Sequence, residues 1–184
     1  MSKASSSPSW QHGLRRWLIT IVAAVGLALF VRSFVVQTYY VPSKSMEPTI
    51  MPGDHLVGDK LAPRFSSIHT GDIIVFLAPP AAHTACVDPY PDLVKRVIAT
   101  PGERIYSKAG VIYINGSPIK EPWPHTSPFG RPISDQVIPP NEYFVMGDNR
   151  SVSCDSRYWG LVKQSSILAK IFMRYYPFNR LAWF

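Results

Sequence analysis

Cysteine is scarce in this chain, with Cys86 and Cys154 as its whole complement. Two widely separated thiols exclude a disulfide framework and do not match a metal-site spacing. A single bridge stays open if the domain lies outside the cytoplasm, although sequence alone does not bring the two within bonding distance. A nucleophile elbow of the form Gly-x-Ser-x-Gly is also missing, which removes the usual partner for a histidine base. No basic stripe or recognition motif accompanies the net charge of +7, so nothing points to nucleic acid. Lys3, Arg15 and Arg16 stand in the first 16 residues with no acid among them, and the other 16 basic and 12 acidic residues are spread without a run. Internal repeats are absent, and beyond residue 40 little 3.6-residue periodicity is sustained.

One long apolar run is present. Residues 17–36 read WLITIVAAVGLALFVRSFVV, uncharged from Trp17 to Val31 and interrupted by Arg32. At 1.5 Å per residue, about 20 residues span roughly 30 Å of hydrocarbon. Arg32 lies close enough to one end to reach the interface, and Trp17 and Tyr39-Tyr40 suit interfacial anchoring. A cleavable secretory signal is the competing reading, but the run is long and no small-x-small site follows it. The expectation is an uncleaved signal anchor. Arg15 and Arg16 then place residues 1–16 in the cytoplasm as a basic tail, disordered around Ser5-Ser6-Ser7-Pro8, and residues 37–184 outside.

Beyond the anchor, 18 prolines and 11 glycines punctuate short runs rich in branched and aromatic residues. The runs at 54–59, 72–77, 93–99 and 143–146 read as strands. Val111–Ile114 followed by Asn115-Gly116 and Ser117-Pro118-Ile119 reads as a hairpin with a two-residue turn. The stretch 167–176 suits a strand by composition and a helix by length. Residues 121–140 are proline-rich and read as a long loop in or beside a small β-subdomain at about 103–140. The predicted class is mainly β: an antiparallel catalytic domain with a small β insert, preceded by one transmembrane helix.

Ser45 is the candidate nucleophile, held in the proline-flanked segment Val41-Pro42-Ser43-Lys44-Ser45-Met46-Glu47-Pro48-Thr49. His55, His69, His83 and His125 are isolated in polar surroundings and read as surface. A lysine base is the alternative. An ordinary lysine is protonated at neutral pH, and burial among apolar groups disfavours the ammonium. Alternation in the strand places Leu93, Lys95 and Val97 on one face and Val94, Arg96 and Ile98 on the other. Both faces are apolar, so pattern does not choose between the two cations, but only lysine can give up its proton. The segment 147–160, Gly-Asp-Asn-Arg-Ser-Val-Ser-Cys-Asp-Ser-Arg-Tyr-Trp-Gly, carries the density of hydroxyls, amides and charges expected of a loop supporting a site, and lacks a calcium-loop ligand pattern.

Taken in order, Ser43-x-Ser45-Met46-x-Pro48-Thr49, Gly53-Asp54, Lys95-Arg96 with Pro101-Gly102, and Gly147-Asp148-Asn149-Arg150 through Ser153-x-Asp155-Ser156-Arg157-x-Trp159-Gly160 resemble type I signal peptidases, peptidase family S26. Each motif is short; the ordered set is specific. The resemblance implies a membrane-anchored serine endopeptidase with Ser45 as nucleophile and Lys95 as general base. It also implies an oxyanion hole from the Ser45 N–H and Ser43 hydroxyl, Ser153 hydrogen-bonded to Lys95, and a supporting Asp155–Arg157 ion pair. Val41, Met46 and Val94 would line shallow pockets for an Ala-x-Ala signal. Lysine at position 95 is the bacterial and organellar form, histidine standing there in relatives of the endoplasmic reticulum. Glu103 replaces the more usual aspartate. The implied partners are preprotein signal peptides, the lipid bilayer and a nearby export translocon, with no nucleic acid, no metal and no cofactor. The aromatic C-terminus, Tyr175 to Phe184, suits either the bilayer surface or core packing.

Overall fold

The computed structural model describes residues 9–86, 89–126 and 130–184, so the expected disorder of Ser5-Ser6-Ser7-Pro8 lies outside the described residues. The chain divides into two units, one ending at Val35 and one running from Val36 to Phe184.

The first unit is a single helix, α1, Ser9–Phe34. Its segment Gly13–Phe34 has mean hydropathy 2.0 and is long and apolar enough to cross a bilayer. Trp17 and Val22 are each 70% exposed, and apolar residues occupy every face, which is the pattern of a span and not of an amphipathic surface helix. The helix is offset from the expected 17–36. It starts at Ser9 and ends at Phe34, because Val36 already pairs with Asp59 as a strand. Apolar composition does not distinguish the last helical turn from a β-branched strand.

The second unit is mainly antiparallel β. Its strands are β1 (Val36–Tyr40), β2 (His55–Asp59), β3 (Ile73–Leu77), β4 (Asp92–Ala99), β5 (Arg104–Lys108), β6 (Val111–Ile114), β7 (Ser117–Pro118), β8 (Gln136–Val137), β9 (Glu142–Met146), β10 (Val162–Lys163), β11 (Ile167–Tyr176) and β12 (Ala182–Trp183). Short helices α2 (Ala62–Phe65), α3 (Pro80–Cys86) and α4 (Ser156–Trp159) connect them. The large sheet has the order β1-β2-β11-β3-β4-β9-β10, with β12 pairing β11. The small sheet, β7-β6-β5-β8, is inserted between β4 and β9. Asn115 and Gly116 take φ of 51° and 84° in the β6–β7 turn, the left-handed pair that a two-residue hairpin needs. The ambiguous stretch 167–176 is a strand, buried in the large sheet between β2 and β3.

The large sheet is covered on both faces, which explains why its central strands read as continuous apolar runs. Along β3, Ile74 and Phe76 join Leu93, Val97, Val145 and Trp159 in one cluster. Ile73 and Val75 join Val41, Met46, Ile50 and Ile171 in another. A third cluster, with Ile98, Ile105, Ile112, Ile138 and Phe144, joins the small sheet to β4 and β9.

Two covalent and ionic ties fix the loops that matter below. Cys86, at the end of α3, is disulfide-bonded to Cys154, with Cα atoms 6.1 Å apart across 68 positions of sequence. Asp54, 1% exposed, closes the turn of residues 41–54. Its Oδ2 accepts from the Met51 N–H at 2.8 Å and from Arg174 Nη1 at 3.3 Å, and its Oδ1 accepts from Arg180 Nη1 at 2.9 Å. Arg174 also donates to the Thr49 carbonyl at 2.6 Å, so β11 and the segment after it grip this turn directly.

Two outcomes are expected from these ties. Reducing the disulfide restores the entropy of a long loop, about 4 kcal/mol on a chain-entropy model, so reductant lowers the thermal midpoint in calorimetry. Asp54→Ala leaves the buried Arg174 guanidinium short of its carboxylate, a loss of about 3–5 kcal/mol, visible as an earlier midpoint in urea with an unchanged slope.

Candidate active site

The segment after β1 leaves the sheet at Val41, which exchanges backbone hydrogen bonds with Asp54 and Gly53 at 3.0 and 2.8 Å. This closes a loop whose apolar members, Val41, Met46 and Ile50, are buried while Pro42, Lys44 and Pro48 are exposed. Within it Glu47 N–H donates to the Lys44 carbonyl at 3.2 Å and Ile50 N–H to the Met46 carbonyl at 2.9 Å. Burying Met46 as an anchor holds Ser45 at the rim, partly exposed.

Lys95 reaches this turn from β4. Its Nζ lies 2.6 Å from Ser45 Oγ, and the residue is 3% exposed. As an ammonium it donates to the hydroxyl; as a neutral amine it would accept from it. Ser43 Oγ stands on Ser45 Oγ at 3.2 Å. The adjacent cation has a different fate. Arg96 is 5% exposed and forms a bidentate pair with Asp148, Nε to Oδ1 at 2.8 Å and Nη2 to Oδ2 at 2.7 Å. Its Nη1 donates to the Gly71 carbonyl at 2.7 Å, and its guanidinium lies over the Trp123 ring. The choice that alternation left open is resolved by partners: one cation meets a hydroxyl, the other a carboxylate.

The loop after β9 closes the site from the other side. A Cβ on Gly147 would collide with the Ser45 carbonyl oxygen and with Ser153, so only glycine lets the two segments cross. The Asp155–Arg157 ion pair is wholly buried, with Nε to Oδ1 and Nη2 to Oδ2 both at 2.7 Å. Asp155 Oδ2 also accepts from the Gly147 N–H at 3.1 Å, and Arg157 Nη2 donates to the Ser153 carbonyl at 3.1 Å. The pair therefore grips both ends of the loop. Asp155 accepts from the Arg157 N–H as the cap of α4.

The expected Ser153–Lys95 hydrogen bond is not formed. Ser153 is 2% exposed, and its Oγ has no hydrogen-bonding partner among the described residues. The hydroxyl is placed against Gly147 instead. A buried hydroxyl without a partner is unfavourable by about 1–3 kcal/mol.

Val41, Met46 and Val94 line one cavity of about 420 Å³, together with Ser43, Lys95 and Tyr39. Burial pushes the Tyr39 phenol up to about 12, with the Asp92 carboxylate adding to the shift. Tyr39 therefore stays a neutral phenol across the alkaline range in which a lysine titrates.

Several supporting residues were not singled out from the sequence. Asn149 N–H donates to the Ser45 carbonyl at 3.1 Å, and Asn149 Nδ2 donates to the Lys44 carbonyl at 3.1 Å. Arg150, 1% exposed, pairs with Glu121 of the proline-rich segment and donates from Nε to the Gly147 carbonyl at 3.2 Å. Their density in the 147–160 run was the available signal, but their partners are distant in sequence.

The comparisons with known proteins identify the family. The family model for signal peptidase, peptidase S26, matches residues 14–176. A signal peptidase I from Leptolyngbya laminosa is 35% identical over 178 residues, covering 97% of this chain and 87% of the relative. A probable signal peptidase I-1 from Synechocystis is 36% identical over 172 residues, covering 93% and 86%. A signal peptidase I from Bacillus caldolyticus is 37% identical over 182 residues, covering 92% and 94%. The chain belongs to the signal peptidase, peptidase S26, family.

Proposed function

We propose that this chain is a membrane-anchored serine endopeptidase that cleaves signal peptides from exported preproteins by a Ser45–Lys95 dyad. One observation carries the dyad: a nearly buried lysine amine 2.6 Å from the hydroxyl of a serine held in a constrained turn. Family membership supports the substrate class.

Neutral Lys95 takes the proton of Ser45 as Oγ adds to the scissile carbonyl carbon. The carbonyl oxygen, now an oxyanion, accepts from the Ser45 N–H and from the Ser43 hydroxyl, which swings off Ser45 Oγ as that oxygen becomes bonded to carbon. The tetrahedral intermediate collapses, the C–N bond breaks, and the Lys95 ammonium returns the proton to the leaving amine. Water then adds to the Ser45 ester with Lys95 again accepting the proton, and collapse breaks the C–Oγ bond as the Lys95 ammonium returns that proton to Ser45 Oγ; the signal peptide acid leaves and loses its own proton to solvent. The cavity lined by Val41, Met46 and Val94 suits the small side chains of an Ala-x-Ala signal. In this reading α1 crosses the bilayer once, residues preceding it face the cytoplasm, and the β unit acts outside, close to the export translocon.

Ser45→Ala and Lys95→Ala are each expected to reduce cleavage of a purified preprotein by at least about 10³-fold with an unchanged circular dichroism spectrum. Full activity in Lys95→Ala would sink the dyad. The rate of the native enzyme is expected to rise with pH as the buried amine loses its proton, below the range of a solvent-exposed lysine. A pH–rate profile flat from about 6 to 10 would count against a titrating lysine base.

A further inference from the structure

Asn149 has no role in the proposed chemistry, yet its backbone and side-chain donors both converge on the segment that carries Ser45. It is 7% exposed. Its N–H donates to the Ser45 carbonyl and its Nδ2 to the Lys44 carbonyl, both at 3.1 Å. Its Oδ1 accepts from the Thr126 hydroxyl at 3.2 Å and the Ser151 hydroxyl at 3.4 Å, which orients the amide with nitrogen toward Lys44. Its own carbonyl accepts from the Val152 and Ser153 N–H groups at 3.1 and 2.8 Å. One residue thus ties the nucleophile turn to the loop behind it.

The Lys44 carbonyl and the Ser45 N–H belong to the same planar peptide group, and in a trans peptide they point in opposite directions. A hydrogen bond that pins the carbonyl therefore sets the direction of the N–H. It also polarises the group, since a peptide that accepts at oxygen is a stronger donor at nitrogen. The Ser45 carbonyl, pinned by the Asn149 N–H, fixes the following peptide as well. We propose that Asn149 is a positioning residue that aims the Ser45 N–H at the oxyanion of the tetrahedral intermediate. The inference rests on the reading of Ser45 as nucleophile and its N–H as an oxyanion donor.

The side-chain contribution can be isolated. Substitution at 149 keeps the backbone N–H on Ser45, and the Lys44 carbonyl keeps its turn bond from Glu47 N–H, so removing the amide strands no carbonyl. What is lost is direction. The effect is then confined to states that carry an oxyanion, where a single misdirected donor is worth a large factor in rate.

The test uses the full-length enzyme in detergent with three variants. Asn149→Ala removes the amide. Asn149→Asp keeps its shape but turns an acceptor on the Lys44 carbonyl. Ser45→Ala serves as the reference. For both Asn149 variants kcat is expected to fall about 10- to 100-fold while KM stays within about twofold. Affinity for a peptidyl boronate, whose adduct on Ser45 places a negatively charged oxygen in the oxyanion position, should fall by the same factor as kcat. Affinity for an uncleavable signal peptide analogue, and the pH at which the rate rises, should not move. Unchanged kcat in both variants overturns the inference, as does an equal loss of affinity for the boronate and the uncleavable analogue. A kcat loss recovered by cooling, alongside a lowered thermal midpoint, would make Asn149 a stability tie and also overturn it. Cleavage by Ser45→Ala would instead remove the reading on which the inference stands, whatever the Asn149 variants do.

Discussion

The contact between the Lys95 amine and the Ser45 hydroxyl imposes conditions that the rest of the domain has to meet. A lysine amine accepts a proton only if its ammonium form is made unfavourable, and burial among apolar groups does this. Burial requires a strand with apolar cover, and β4 supplies it: Leu93 and Val97 flank Lys95 inside one core cluster. The serine must be brought to that amine from outside the sheet, by a turn long enough to leave β1 and return to β2. The turn is irregular and has no ladder of its own. Its position depends on anchors, namely Met46 and Ile50 in the core and Asp54 at its base.

Buried charge supplies most of those anchors. Arg96–Asp148 and Arg174–Asp54 carry the β4–β9 and β2–β11 pairings into the adjoining turns, Arg150–Glu121 ties the loop after β9 to the proline-rich segment, and Asp155–Arg157 braces that loop from within. Such pairs are poor sources of net stability, because desolvation cancels much of the attraction. Their value here is geometric. A bidentate guanidinium–carboxylate pair admits few orientations, whereas an apolar contact of equal area admits many. Arg96 and Lys95 are neighbours on one strand, so the Arg96–Asp148 pair ties the Lys95 backbone to the loop that crosses Ser45. Asp155–Arg157 does the same for Gly147 and Ser153. The site is a frame of salt bridges around the Lys95–Ser45 contact.

Much of this was legible in the sequence, and the parts that were not share a cause. Strand positions followed from branched and aromatic runs bounded by turn residues, and the Asn115-Gly116 hairpin from its left-handed dipeptide. Ser45 and Lys95 came from ordered motifs together with the chemistry of a base that must lose a proton. What escaped depends on partners remote in the chain. Lys95 was chosen over Arg96 by chemistry and not by pattern, and Arg96 had no role of its own until Asp148 was placed beside it. Asn149 was one polar residue among many until Lys44 and Ser45 lay against it. The Cys86–Cys154 bridge joins elements 68 positions apart, a distance over which spacing carries no information. The end of α1 was misplaced because Val35 and Val36 satisfy an apolar span and a β-strand equally well. The placement of the Ser153 hydroxyl depends on how its loop packs on Gly147, which no sequence pattern encodes.

In the proposed mechanism the anchor and the shallow cavity are complementary parts of one solution. A pocket that accepts only small side chains contacts few atoms and can contribute little binding energy. Specificity from one methyl group against a larger side chain is limited to about 1–3 kcal/mol when it relies on attraction, so exclusion of bulk has to do more than affinity. A weak site works if the substrate is already concentrated beside it. A preprotein held in the bilayer by its own apolar segment, and a protease held by α1, meet in two dimensions, where effective concentration replaces contact area. Ser45 follows the end of α1 by only one strand and the start of a turn, so the nucleophile is the catalytic residue nearest the tether in sequence. Lys95 and the 147–160 loop can lie far along the chain because the sheet returns them. The order of the motifs thus follows from the need to tether the nucleophile first and build its environment afterward.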